Sequence, residues 1–200
     1  DQSYIQQTII DGGEGTSAVT FDTNEDSLAT LSGFTVLNGS SKGIFCENSS
    51  PSIRNCVVSQ TLSHARRGIW CWTSSPVLDG VVVTGNNEIG IWIGYESHPL
   101  ITNSISSYNN GSGIHCTQFS NPTLIDVTSE GNSDGAAGGG FFAGAGCNAT
   151  LKRVTIKNNQ AGGNGGGGIF IGNSTAFLDS VIIARNTSEA QGGGIRVSGT

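Results

Sequence analysis

Short runs of alternating apolar and polar residues fill this chain, each broken by Gly, Pro, Asn or Ser. No ten-residue segment carries a helical 3.6 period free of a Gly or Pro break. The clearest run is Gly68 to Asn86, GIWCWTSSPVLDGVVVTGN. Its opening alternates, so that in a strand Ile69 and Cys71 face inward and Trp70 faces outward. Pro76 fixes a turn, a second strand carries Leu78 inward, Gly80 turns a corner, and Val81 to Thr84 makes a third strand. The same register recurs from Gly43, Gly90 and Gly113, more loosely from Gly140 and Gly168, and starts again at Gly194. A degenerate first copy runs from Thr8 to Gly39. Opening glycines 22 to 28 residues apart make each copy one supersecondary unit of a repeat architecture.

Aligning the copies turns residue types into positions. Two residues beyond the Pro slot stand Ile53, Leu78, Ile101, Leu124, Leu151 and Leu178, an inward aliphatic ladder. The corner slot holds Asn55, Gly80, Asn103, Asp126, Arg153 and Ser180. The third strand then points Cys56, Val81, Ser104, Val127, Val154 and Val181 inward, followed by Val58, Val83, Ser106, Ser129, Ile156 and Ile183. Ten residues after the Pro slot comes an asparagine, Asn86, Asn109, Asn132, Asn159 and Asn186, with Thr61 the exception. Asparagine tolerates the left-handed conformation and its amide can bond the equivalent amide one coil away, so these five are expected to form a structural ladder. Length varies between that Asn and the next Gly, as loops projecting from one corner of a solenoid would. The expectation is one continuous all-β segment over residues 1–200, with about eight coils, three short strands per coil and no cap at either end.

The phrases Thr8-Ile9-Ile10-Asp11-Gly12, Leu31-Ser32-Gly33-Phe34-Thr35 and Ser49-Ser50-Pro51-Ser52-Ile53-Arg54-Asn55-Cys56 resemble the right-handed parallel β-helix repeats of secreted and surface-anchored microbial proteins. That superfamily includes the pectate-lyase-like enzymes. The resemblance covers essentially the whole chain and implies a single-stranded right-handed parallel β-helix in an extracellular or cell-surface setting. Such repeats occur in lyases, hydrolases, adhesins and structural proteins alike, so the resemblance does not select a function. Enzymes of the superfamily typically carry paired carboxylates on one outer face, often with Ca²⁺ and a basic residue.

Composition narrows the partners. A net charge of −6 with nine scattered Lys and Arg argues against nucleic acid. No apolar run approaches the ~20 residues of a membrane span. Five cysteines cannot all pair internally. Cys46, Cys71 and Cys116 share one inward slot with Ile93, Ala143 and Ile171, which reads as core. Cys46 with Cys71 is the pairing considered, and stacked strands hold two Cβ atoms parallel, which suits a disulfide poorly.

The candidate chemistry is sparse. Glycoside hydrolysis needs two carboxyls roughly 5 to 9.5 Å apart, yet Asp79 and Asp126 occupy different slots two coils apart and Asp179 is isolated. His115 sits in an ordinary strand copy and reads as a surface residue in the aromatic slot. The densest acidic stretch, Asp22, Asn24, Glu25 and Asp26 with Asp11 and Glu14 nearby, is the one place a Ca²⁺ ion could be held, but it fits no ligand loop and reads as a solvated turn. No cofactor is expected.

The sharper signal is outward. The slot two residues after each opening Gly holds Phe45, Trp70, Trp92, His115, Phe142 and Phe170, then Arg196. With strands stacked at about 4.8 Å these predict a continuous exposed ladder, and Trp72 and Tyr95 lie near its middle. It would serve sugar rings or another protein, or simply rigidify the sheet. A second outward stripe, Val57, Val82, Ile105, Thr128, Thr155 and Ile182, offers a flat lateral surface. Sequons at Asn38, Asn48, Asn110, Asn148, Asn173 and Asn186 mark acceptors for glycosylation. Together these features read as a non-enzymatic extracellular β-helix: a spacer, adhesion or self-assembling module whose aromatic face contacts a glycan or cell-surface protein. The alternative is a polysaccharide lyase or glycoside hydrolase.

Overall fold

The computed structural model describes residues 5, 7–13, 15–59 and 67–199. Thr61 and Glu14 lie outside these. The described chain is all β, wound into three parallel sheets, one for each strand of the repeat. The first sheet has eight strands and contains Ile69 and its equivalents; the second has seven and contains Leu78; the third has eight and contains Val83. Every register pairs equivalent slots: Trp70 with Trp92, Leu78 with Ile101, Val82 with Ile105. The column between the sheets is the core, where Ile53, Leu78, Ile101 and Leu124 stack fully buried beside Val58, Val83 and Ile156.

The corner between second and third sheets is set by one residue per coil. Asn55, Gly80, Asn103, Asp126, Arg153 and Ser180 all take positive φ, between 48° and 63°. A single left-handed residue is the sharpest way to redirect a strand without breaking the neighbouring ladders.

The asparagine ladder forms, though by one of the two reasons expected for it. Each amide bonds the next: Asn86 Nδ2 donates to Asn109 Oδ1 at 3.0 Å, Asn109 to Asn132 at 2.9 Å, Asn132 to Asn159 at 3.0 Å and Asn159 to Asn186 at 3.0 Å. None of the five has positive φ; the left-handed position is the residue before each, Gly85, Tyr108, Gly131, Asn158 and Arg185. Asparagine is there for its amide, and its neighbour makes the turn.

A second polar ladder was not anticipated. Ser49, Ser74, Ser97, Ser120 and Ser174 line the corner between first and second sheets, the first four buried. Ser97 Oγ accepts from Ser74 N at 3.0 Å, and Ser120 Oγ from Ser97 N at 3.1 Å. Cys147 occupies the same position in its coil, where its N–H donates to Ser174 Oγ at 3.1 Å. Its sulfur pairs with Cys116, so the disulfide is Cys116–Cys147, while Cys46 and Cys71 stack in register as free, buried thiols. This corrects the pairing considered from the slots: a disulfide here needs one cysteine on a strand and one in a turn, which lets the Cβ vectors converge. Burial pushes the Cys71 thiol up to about 12 and the Cys46 thiol well above the ordinary thiol range, so both are inert core residues.

The variable corner is more ordered than loops alone. Ser133–Asp134, Gln160–Ala161 and Thr187–Ser188 form a fourth, three-stranded sheet with glycine-rich turns between it and the first sheet. No helix of the described residues is long and apolar enough to cross a membrane.

Candidate functional site on the aromatic face

The outward slot of the first sheet is in unbroken register from Thr20 through Phe45, Trp70, Trp92, His115, Phe142 and Phe170 to Arg196. The rings nevertheless fall into two groups, since among the described residues no ring contact joins Trp92 to His115. The first group is Phe45, Trp70 and Trp92, with Trp70 5.3 Å from Phe45 and edge-on to Trp92 at 5.0 Å. Trp72 and Tyr95 join it as a stacked pair 3.7 Å apart. Lys42 Nζ lies 4.3 Å from the Phe45 ring and the Arg67 guanidinium 4.0 Å from that of Trp70, so this group carries two cations on its π faces. The second group is a shingled stack: His115 on Phe142 at 4.2 Å and 10°, Phe142 on Phe170 at 5.2 Å and 11°.

The ladder is less exposed than its slot suggests. Trp92 is only 8% exposed and the other rungs are half-buried, while Tyr95 reaches 38%. Two features bring the rings down. The cations and the variable corner flank them, and glycine two residues on gives them room. A Cβ at Gly144 or Gly172 would meet the Phe142 or Phe170 ring at 2.6 Å, and one at Gly94 would strike the indole of Trp92. The aromatic-x-Gly spacing in Trp92-Ile93-Gly94, Phe142-Ala143-Gly144 and Phe170-Ile171-Gly172 was a sequence signal for this.

Beside the second group lies a cleft of about 740 Å³, floored by His115, Phe142 and Phe170 and walled by Glu88, Asn110 and Asp134. Asp134 builds the wall: its carboxylate accepts from Ser112 N and Oγ at 3.0 and 2.8 Å and from Ala136 N and Ala137 N at 2.7 and 3.1 Å. His115 Nδ1 is sealed from solvent and has no partner. Desolvation, offset in part by the nearby Asp134 charge, lowers the His115 pKa to about 4. The imidazole is therefore neutral at physiological pH, and it costs stability as pH falls from 6.5 to about 4, where the unfolded chain takes a proton that the folded one refuses. An NMR titration of the His115 ring should give a midpoint near 4; a midpoint near 6.5 would mean that the ring is solvated.

The other candidates lie elsewhere. Asp79 is held by Thr102 Oγ1 at 2.7 Å, Asn103 Nδ2 at 2.9 Å and Arg54 at 3.2 Å, and Asp126 by both nitrogens of an Arg153 fork at 2.7 Å. Both are surface ion pairs between coils, not a reacting pair. In the acidic stretch, Glu25 accepts from Thr23 N and Oγ1 and from Ser49 Oγ, and these bonds, those from Thr23 first, bring its pKa down to about 2. No group of three His, Cys, Asp or Glu among the described residues is arranged to hold a metal. The β-branched stripe is in register from Val57 to Ile182, with Ile105 and Ile182 exposed. Of the sequon asparagines, Asn48, Asn110, Asn148 and Asn173 are exposed and Asn38 half-buried. Asn186 is committed to the ladder, its amide accepting from Asn159 and donating to Ile156 O at 2.9 Å.

Coils wound on three parallel sheets, with a cleft and aromatic rungs on one outer face, define a right-handed parallel β-solenoid of about seven turns. The family model for a right-handed β-helix region matches residues 17–200, and the chain belongs to that family. The crystal structure of pectate lyase Pel9A resembles it with a TM-score of 0.62 at 12% identity, over 94% of this chain. The alignment spans 57% of the pectate lyase chain, and at this identity the likeness is one of fold. A sequence search of curated proteins finds no match.

Proposed function

We propose that this chain is a non-enzymatic β-helix module of the extracellular space or cell surface that contacts a glycan through its aromatic face. One observation carries the reading: ring-bearing rungs from Phe45 to Phe170 stay in register across six successive coils and end beside a ligand-sized cleft. Rings carried on strands about 4.8 Å apart suit an extended ligand, because successive sugar units meet an aromatic rung on each coil. The disulfide fits an oxidising compartment. All three tryptophans lie in the first ring group, so intrinsic fluorescence reports directly on contact there. Titration with polysaccharides should shift or quench that emission, Trp72→Ala should weaken binding by about tenfold, and no unsaturated or reducing ends should be released. Unchanged emission and no binding across neutral and acidic polysaccharides would sink the reading.

A second reading, a glycoside hydrolase, is favoured by the presence of Glu88 and Asp134 on one cleft. Against it, Asp134 already accepts four hydrogen bonds, two that fix its own loop and two that tie it to Ser112 one coil earlier. Release of reducing ends that disappears in Glu88→Gln would establish this reading and displace the first.

A further inference from the structure

We infer that the cleft beside Phe142 and Phe170 is a subsite for an uncharged pyranose unit and rejects sugar acids, an inference that rests on the glycan-contact reading above. The floor is apolar, a shingled stack of rings 4.2 and 5.2 Å apart whose outward edges give the C–H face of a neutral sugar an apolar surface to pack on. The walls supply hydrogen bonds that the protein does not use. Among the described residues the side chains of Glu88, Asn110 and Asn164 make no hydrogen bond and no ion pair, although all three line the cleft. Asp134, in contrast, already accepts two bonds from its own loop and two from Ser112 one coil earlier. A carboxylate and two amides offer both acceptors and donors to sugar hydroxyls.

His115 is an independent sign. An unpartnered buried polar atom is uncommon and calls for an explanation. A dry Nδ1 is better left as a bare lone pair than as an unpaired N–H, which puts the proton on Nε2, the nitrogen that is not sealed. The imidazole then offers a neutral N–H donor at the cleft floor, complementary to a hydroxyl or ring oxygen.

Charge sets the class of sugar. Among the described residues no Lys or Arg lines the cleft. Arg196 stands at its far end, where one N–H is donated to the Asn164 carbonyl, and Arg67 lies over Trp70 and Trp92 in the other ring group, its charge acting on Glu88 and His115 from outside the cleft. A uronate carboxylate would come to rest near Glu88 and Asp134, with no Lys or Arg among the described lining residues to pair it, and like charges in a partly desolvated site oppose binding. An uncharged sugar meets no such opposition.

The test is calorimetric titration of the full chain with short oligosaccharides of glucose, galactose, mannose and xylose, and with oligogalacturonate. Wild type should bind at least one neutral series and bind oligogalacturonate at least about tenfold more weakly. Glu88→Ala and Asn164→Ala should each lower neutral binding by about tenfold, and Glu88→Lys should narrow the gap for oligogalacturonate. Among the described residues these side chains make no hydrogen bond or ion pair, so the variants should keep the fold, which circular dichroism checks. Equal or preferred binding of oligogalacturonate by wild type would overturn the inference. So would neutral binding that survives all three cleft variants but is lost in Trp72→Ala, an outcome that leaves the glycan-contact reading standing. Absence of binding to every oligosaccharide would overturn both.

Discussion

Replacing Asn109 with Ala is expected to destabilise the fold by about 3–5 kcal/mol. The residue is 1% exposed and stands mid-ladder, where its amide serves three coils. Its Oδ1 accepts from Asn86 N and Asn86 Nδ2, both at 3.0 Å. Its Nδ2 donates to Asn132 Oδ1 at 2.9 Å and to Val83 O and Ser106 Oγ at 3.2 Å. Alanine removes the donors and the acceptor together and leaves their partners in a site that water does not reach, so the loss is desolvation without compensation rather than a single bond. Asn186→Ala is the natural comparison, because that rung is half-buried and closes the ladder: about 1–2 kcal/mol is expected there. Denaturant unfolding measures both, and amide exchange at Asn86 should accelerate in the Asn109 variant alone. A loss below about 1 kcal/mol for Asn109→Ala would mean that water enters the column and takes the place of the amide.

Much of this was readable in advance because a solenoid repeats its reasons. Ile53, Leu78 and Ile101 could be assigned inward without coordinates, since a period of two within strands and a period of one coil between them leave a single consistent orientation. The corner slot was legible for the same reason, although its φ was concealed by chemistry as varied as Asn55, Arg153 and Ser180. Exposure was not legible. A slot says that Trp92 leaves the core, but the glycine at 94 lets the indole lie down and Arg67 covers it, and those are contacts between residues of different slots. The serine ladder escaped because Ser-x-Pro looks like turn chemistry, and nothing in one coil announces that Ser97 Oγ caps the N–H of Ser74 a full coil earlier. Cys147 escaped with it, as the member of that ladder whose side chain had been exchanged for a sulfur. The cleft depends on Ser133–Asp134 and Gln160–Ala161 pairing across the variable corner, where differing loop lengths break the alignment that made the rest readable.

Gly90→Ala is expected to cost as much as the loss of Asn109, about 3–5 kcal/mol, for the converse reason. The opening glycine of each coil does not have positive φ, so its backbone would accept alanine. Its space is already taken. A Cβ on Gly90 would meet the Asn109 Nδ2 and the Gly113 carbonyl oxygen at 2.6 Å each, and would strike Ser106 Oγ. Gly113 O is backbone of the next coil and cannot swing aside, and Asn109 cannot retreat without breaking its rung. The glycine stripe and the asparagine ladder are thus one device: the amides fit because the stripe beneath them has no side chains. Gly85→Ala separates this from backbone strain. Gly85 has φ of +63° with nothing within 4 Å of an added Cβ, so only the left-handed penalty of about 1 kcal/mol is expected. Unfolding curves for the two variants should therefore differ by about 2 kcal/mol or more, Gly90→Ala being the less stable. Equal losses would show that the coil spreads to admit a methyl group, and that the ladder's close fit to the glycines is not what limits the fold.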